Sequence, residues 1–319
     1  MSIQAVYQVG PKNPDISRLT DAFASIAFHK TRTHADLCEA IQTAEILIMN
    51  GTEYDETIGA AVHRSPTLKW IQFTSSGVDL VTRCGGLPPH IRACNVAGLR
   101  AGNLSEHAFA LLLYLTRQLR MIDDARDRKA WIKRELFPHM ASLRGRTMLV
   151  VGLGAIGQAT ALKAKAFGMR VIGISRAYQP DAVIEKVWPR ENADEAFRQA
   201  DVVLVAAPSE AGTIGYVSRE KIALLKPSAY IINVSRGDVL DEAALIDACR
   251  EKRIAGAGLD VMETEPLPDD SPLWTLDNVI MSPHVGGAGS DQLGQLLDKI
   301  AANVTRYLAG EKLENIVDV

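Results

Sequence analysis

No block of like charge and no long apolar run stands out in this chain. Its 35 Lys and Arg oppose 38 Asp and Glu, a formal net charge of -3, so the basic stripe of a nucleic-acid binder and an acidic tail are both excluded. No stretch approaches the roughly 18 apolar residues of a membrane span. The start MSIQAVYQVG lacks the basic residues and apolar core of a signal peptide. A cytoplasmic protein with no nucleic-acid or membrane partner is expected. Cysteine is scarce: Cys38, Cys84, Cys94 and Cys249 are scattered, with no C-x-x-C pair. The closely spaced His29 and His34 have no further ligands beside them. Reduced thiols and no metal follow.

What the chain does have is apolar content, 47% of 319 residues. That suffices for roughly two domains of about 100 to 200 residues each. The composition is even from end to end and marks no linker.

Short apolar strands alternate with helical stretches over the first hundred residues: IQAVYQV, DISRLTDAFASI, IAFH, HADLCEAIQTA, EILIMN, DETIGAAVHR, LKWIQF. This cadence predicts a parallel sheet with crossover helices. Residues 103–122, free of Gly and Pro and apolar almost all round, predict one long buried helix beside a seam near residue 100. Six further strands follow in one block: TMLVV, RVIGIS, DVVLVAA, AYIINVS, AGAGLDV and NVIMSPH. The last segment, from Asp291, spaces Leu293, Leu296, Leu297, Ile300 and Val304 as the stripe of an amphipathic helix that returns to the first domain.

Gly152-Leu-Gly154-Ala-Ile-Gly157 stands directly after TMLVV and opens an Ala-rich helix, the context a dinucleotide-binding turn requires. Gly152 permits the tight turn. Gly154 lets the backbone approach a pyrophosphate, Gly157 lets helix and strand pack, and the helix N-terminus offers free N–H groups to phosphate. The acidic residue that binds a ribose 2′-hydroxyl is absent about 20 residues on: the second strand ends in Ser175-Arg176, and Asp181 follows in a loop. A hydroxyl and a guanidinium without a repelling carboxylate favour NADPH over NADH. The competing reading makes Arg176 a solvated surface residue.

Ligands of open parallel sheets bind at the carboxyl ends of strands, where Arg236, Glu265 and His284 stand. Reduction of a 2-oxo acid needs a hydride donor, a proton donor and a cation that polarises the carbonyl. A nicotinamide, a His and an Arg supply these. A carboxylate such as Glu265 would orient the imidazole and raise its pKa.

Together these residues resemble the D-isomer-specific 2-hydroxyacid dehydrogenases, which include glyoxylate and hydroxypyruvate reductases. The matching motifs are Ser75-Ser76-Gly77-Val78-Asp79, Glu106-His107, Trp131, the glycine turn, Ala207-Pro208, Thr213, Asn233-Val234-Ser235-Arg236-Gly237, Gly258 to Val261, Glu265 to Pro268, Ser271 to Trp274 and Asn278 to His284. The resemblance implies that Arg236 binds substrate, that His284 is the general acid or base, and that Glu265 supports it. It places the substrate carboxylate on the N–H groups around Ser76 and Gly77, and Asp260 on the nicotinamide amide. Ala155, Ile156, Ala207, Pro208, Thr213, Val234, Ser235 and Gly286 join the cofactor contacts.

The same resemblance implies an α/β architecture of two doubly wound parallel sheets. A Rossmann cofactor domain, 101–287, is inserted in a flavodoxin-like substrate domain, 1–100 with 288–319, and a crevice between them closes on substrate. It also suggests a homodimer with RDRKAWIKRELFPHM as its arm. Departures from the commoner pattern are Ser175-Arg176, Ala155 where Arg or Lys is frequent, and Asn103-Leu104-Ser105 before Glu106. Arg100 and Asn50 stand outside the catalytic set, as a selectivity pair or as a solvated Arg and a turn Asn. The expected activity is NADPH-preferring reduction of a small 2-oxo acid. The alternatives are phosphite-type oxidation, or a corepressor-like regulator that binds nucleotide on the same fold; formate oxidation would call for Gln at Glu265.

Overall fold

The computed structural model describes residues 2–10, 15–177, 179–290 and 292–319. They form two units, Met1–Leu99 with Gly289–Val319, and Arg100–Ala288. The crossings fall after Leu99 and Ala288, where the sequence reading put them after 100 and 287.

In the first unit β1 (Ile3–Gln8), β2 (Ile26–Thr31), β3 (Ile46–Met49), β4 (Trp70–Phe73) and β5 (Arg92–Cys94) lie parallel in the order β2-β1-β3-β4-β5, the flavodoxin-like order. β3 and β4 are buried at every residue because helices cover both faces, which explains their unbroken apolar runs. On one face α2 (His34–Ala40) and α3 (Glu56–Arg64) set Leu37, Ile58 and Val62 against Val6, Leu47, Ile71 and Phe73. Thr33 and Asp55 cap these helices by accepting the N–H of Asp36 and Ile58.

On the opposite face the C-terminal helix, Gln292–Ala309, packs Leu296, Leu297, Ile300 and Val304 on Tyr7, Ile46, Ile48 and Trp70. Trp70 stacks on Tyr307 with centroids 5.0 Å apart, and the buried Asn303 donates to Gln72 Oε1 at 2.9 Å. Leu293, assigned to the apolar stripe, is instead exposed. Asp291, the first residue of that segment, lies outside the described residues. The expected helix over DISRLTDAFASI shrinks to the single turn α1 (Ser17–Thr20), and α4 is equally short (Asp79–Arg83).

The second unit opens with α5 (Ala101–Thr116), α6 (Leu119–Asp127) and α7 (Lys133–Leu136). The expected single helix over 103–122 is therefore broken. Gln118 adopts φ 54° and its amide donates to the carbonyls of Leu115 and His139, so the chain turns while the carbonyl end of α5 stays partnered.

Seven parallel strands follow, against six expected: β6 (Thr147–Val151), β7 (Arg170–Ile174), β8 (Lys186–Trp188), β9 (Val202–Val205), β10 (Tyr230–Asn233), β11 (Gly256–Leu259) and β12 (Val279–Met281). The extra strand β8 is a three-residue edge, too short to show a pattern. β5 is hidden for the same reason. The order β12-β11-β10-β9-β6-β7-β8 reverses at β6, so the switch point of a doubly wound sheet lies between β6 and β9. Helices α8 (Ala155–Ala166), α9 (Asp194–Gln199), α10 (Arg219–Ala223) and α11 (Glu242–Arg250) complete the unit. Among the described residues no helix is long and apolar enough to cross a membrane.

Candidate active site

β6 ends at Val151 and α8 begins at Ala155, so the glycine turn sits at the switch point. Gly152 has φ 97°, and a Cβ there would lie 2.6 Å from the Ala207 nitrogen. At Gly157 a Cβ would lie 2.1 Å from the Gly152 carbonyl oxygen, a packing contact that admits no side chain. Gly154 differs: a Cβ would meet nothing within 4 Å. It is the N-cap of α8 and supplies no side-chain cap, and among the described residues nothing accepts the N–H groups of Ala155 and Ile156 at the start of the helix. That cradle fits a pyrophosphate, held by N–H donors and the positive helix end.

Ser175 donates its N–H to the Trp188 carbonyl, tying the end of β7 to β8. Asp181 stays out of this place, because its carboxylate accepts the N–H of Val183 and Ile184. Arg176 projects from the strand end and pairs with Glu210 at 3.0 Å. The loop after β9 carries Ala207, Pro208, Glu210 and Thr213. Thr213 is buried and pins the loop: its hydroxyl accepts the Glu210 N–H and donates to the Pro208 carbonyl. Val234 and Ser235 are also buried. The Ser235 N–H and hydroxyl both donate to Asn233 Oδ1, which shapes the end of β10.

Arg236 follows that bend half-buried, its guanidinium donating to the Ser235 carbonyl at 2.8 Å. The next residue must be glycine, since a Cβ on Gly237 would lie 1.9 Å from the Met262 carbonyl oxygen. The loop after β11 thus rests on the backbone beside Arg236. In that loop Glu265 Oε1 accepts the Met262 N–H at 3.1 Å, while Oε2 lies 2.8 Å from His284 Nδ1. Glu242 on α11 accepts the Glu263 N–H, and burial raises its carboxyl above the usual range. With Nδ1 held by a carboxylate, Nε2 is the nitrogen of His284 left for proton exchange.

His284 takes φ 53°, a left-handed conformation that costs about 1 to 3 kcal/mol for a residue of this kind. The buried Asp260 enforces it. Its carbonyl accepts the His284 N–H at 2.8 Å, and its carboxylate accepts the N–H groups of Val285 and Gly286 at 2.9 Å each. Ser282 donates its hydroxyl to the same carboxylate and receives the Nε2 hydrogen of His107, each at 2.7 Å. Three internal donors therefore engage Asp260, the residue the resemblance assigned to the nicotinamide amide.

Ser76 and Gly77 belong to the other unit, just beyond β4. Ser75 Oγ accepts the Gly51 N–H and donates to the Gly77 carbonyl, and Asn95 donates to the Ser76 carbonyl. Among the described residues nothing accepts the N–H of Ser76 or Gly77. Two N–H donors at one bend are thus left for an acceptor from outside the chain. Asn50 caps its own turn by accepting the Thr52 N–H, and Arg100 packs along Gly287.

Residues 109–286 match the family model described as D-isomer specific 2-hydroxyacid dehydrogenase, NAD binding domain. The chain belongs to the D-isomer specific 2-hydroxyacid dehydrogenases. It is 31% identical to a D-3-phosphoglycerate dehydrogenase of Methanocaldococcus jannaschii over 97% of its own length, and spans 58% of that relative. A glyoxylate reductase of Thermococcus litoralis is 32% identical over 88% of this chain and 86% of its own. A family member from Xanthobacter autotrophicus Py2, solved with NADPH and MES, superposes with a TM-score of 0.84 at 26% identity, over 98% of each chain. Enzymes of this family act on CH–OH donors with NAD(P).

Motif matching reached His107 as half of Glu106-His107 and Ser282 within Asn278 to His284 without a role for either, and passed over Arg190 and Glu210. His107 and Ser282 are 175 residues apart in sequence. No spacing rule connects them.

Proposed function

We propose that this protein reduces a small 2-oxo acid to its D-2-hydroxy acid, of glyoxylate or hydroxypyruvate type, with NADPH preferred. The observation that carries the reading is the His284–Glu265 pair at 2.8 Å, held at the strand ends that also present Arg236. The N–H groups at Ala155 and Ile156 would hold the pyrophosphate, Ala207, Pro208, Val234, Ser235 and Gly286 would line the dinucleotide, and Thr213 would keep its loop in shape. A bound dihydronicotinamide supplies the hydride. Arg236 draws the carbonyl electrons toward its oxygen, and His284 Nε2 gives that oxygen its proton. Glu265 stabilises the imidazolium before the transfer and holds the ring in place afterwards. The N–H groups of Ser76 and Gly77 take the substrate carboxylate.

NADPH preference rests on the end of β7, where the strand itself ends in Ser175 and Arg176 in place of an acidic residue; the carboxylate that meets Arg176 there, Glu210, comes from the loop after β9. Oxidation of NADPH and NADH should be followed with a panel of 2-oxo acids. Arg176→Ala is expected to raise the KM for NADPH several-fold more than that for NADH. Equal effects refute the 2′-phosphate contact, and no turnover with any acid refutes the reductase.

We also propose a homodimer. Trp131 is 93% exposed and Phe137 70%, in a segment where Leu119 and Ile122 are exposed as well. Large apolar side chains exposed along one stretch of chain call for a partner surface, and a second copy of the chain fits the twofold habit of homo-oligomers. Sedimentation equilibrium should give twice the chain mass. Trp131→Glu with Phe137→Glu should give the monomer, and a monomeric wild type ends the proposal.

A further inference from the structure

We infer that Arg190 is the second cation of the 2′-phosphate site and that Glu210 is its built-in competitor, a charge device that sets how strongly the protein prefers NADPH. This rests on the cofactor reading above and deepens it.

The adenosine ribose of a dinucleotide lies beyond the second strand of a doubly wound domain, here β7. Arg176 stands two residues past that strand, and its Nη2 lies 3.0 Å from Glu210 Oε1. Arg190, which follows β8, brings its own Nη2 to 2.7 Å from the same oxygen. Two guanidiniums thus converge on one carboxylate oxygen, an arrangement of donors that an oxyanion takes equally well.

The two arginines are not alike. Arg176 is 67% exposed, and an exposed, solvent-screened pair of this kind holds its side chain only weakly. Arg190 is 18% exposed and fixed from three directions. Besides Glu210, its Nη1 donates to the Gly212 carbonyl at 3.3 Å, and its own carbonyl accepts the Tyr216 hydroxyl at 2.9 Å. Burial raises Tyr216 to about 12, so it remains a donor at any working pH. The guanidinium also lies close over Gly212, where a Cβ would come within 2.8 Å of Nη1. Arg190 is therefore preorganised, and Arg176 is the mobile half of the seat.

Glu210 has a fixed backbone, and among the described residues the two arginines alone hold its carboxylate. Its N–H donates to Thr213 Oγ1, and its carbonyl accepts the N–H of Thr213 and Ile214, so only the side chain needs to swing. A 2′-phosphate carries roughly -1.5 to -2 charge and three acceptor oxygens, against a single charge on the carboxylate. It displaces Glu210 from both guanidiniums at the cost of breaking two ion pairs. Without a phosphate, Glu210 keeps both arginines engaged and cancels half of their charge, and the site accepts an unphosphorylated ribose.

The test is calorimetric titration of the intact protein with 2′,5′-ADP and with 5′-AMP, which separates the phosphate contact from turnover. Arg190→Gln is expected to weaken 2′,5′-ADP on the order of tenfold, the loss of one charge-assisted contact. Glu210→Gln is expected to tighten it about threefold or more, and 5′-AMP should bind both variants as it binds the wild type. A wild type that prefers 2′,5′-ADP while both variants match it overturns the inference and leaves Arg176 as the whole site. Parallel losses of 2′,5′-ADP and 5′-AMP binding also overturn it, by showing damage to the loop. A wild type with no preference for 2′,5′-ADP over 5′-AMP overturns the NADPH reading itself, and this inference with it.

Discussion

His284→Ala is expected to lose about 100-fold to 10,000-fold in kcat with every accepted 2-oxo acid, the range of a positioned general acid, while binding NADPH as tightly as the wild type. The retained affinity follows from position. His284 lies past the end of β12, whereas the phosphate turn is built from Gly152 to Gly157 between β6 and α8. Stability should change little, since the side chain is 48% exposed and the left-handed backbone is held by Asp260 through main-chain N–H groups that alanine keeps. Glu265→Gln should fall between the two, because an amide oxygen still receives the Nδ1 hydrogen but no longer balances the imidazolium charge. Single-turnover reduction with a fluorescence titration of NADPH checks all three. Wild-type turnover in His284→Ala would remove the proton role.

The second large effect comes from one methyl group. In Gly237→Ala the new Cβ would lie 1.9 Å from the Met262 carbonyl oxygen and 2.4 Å from the Glu263 nitrogen. Both are backbone atoms, so no rotamer change relieves the clash. Either the chain after Arg236 or the loop that carries Glu265 must move. Overpacking of this kind costs about 1 to 3 kcal/mol, and the displacement falls on Arg236 and Glu265, two of the three side chains proposed to react. A lowered urea midpoint and a kcat reduced by more than tenfold are expected together. Gly102→Ala is the control: a Cβ there meets nothing within 4 Å in α5, and it should be neutral or gain about 0.5 to 1 kcal/mol. A Gly237→Ala protein as stable and active as the wild type would contradict the packing described.

The two glycines separate what is legible in a sequence from what is not. Gly157 could be assigned its packing task because strand, turn and helix are neighbours in the chain and constrain one another within a few residues. Gly237 presses on a loop 25 residues further on, by way of β11, and nothing near it announces that contact. Arg236, Glu265 and His284 were legible for a related reason. Each follows an apolar strand, and parallel sheets gather the carboxyl ends of their strands at one edge.

Other features were misread where local pattern and tertiary context disagree. Leu119 and Ile122 continue the apolar character of α5, yet the helix stops at Thr116 because Gln118 finds carbonyl partners in Leu115 and His139 and turns the chain. β5 and β8 have three residues each, too few for a period, and exist because a neighbouring strand offers them a ladder. Arg176 read as a lone guanidinium, whereas in the folded chain it shares Glu210, 34 residues away, with Arg190.

From its sequence alone, then, this chain determined its even charge, its two parallel α/β units, the position of its glycine turn and the strand ends that carry Arg236, Glu265 and His284. All of these follow from periods and junctions a few residues long. The tertiary structure alone decided the left-handed backbone of His284, the His107–Ser282–Asp260 support beneath it and the carboxylate between two arginines at the end of β7. Each of these is a hydrogen bond or ion pair between groups that meet only once the sheet has brought distant strand ends together.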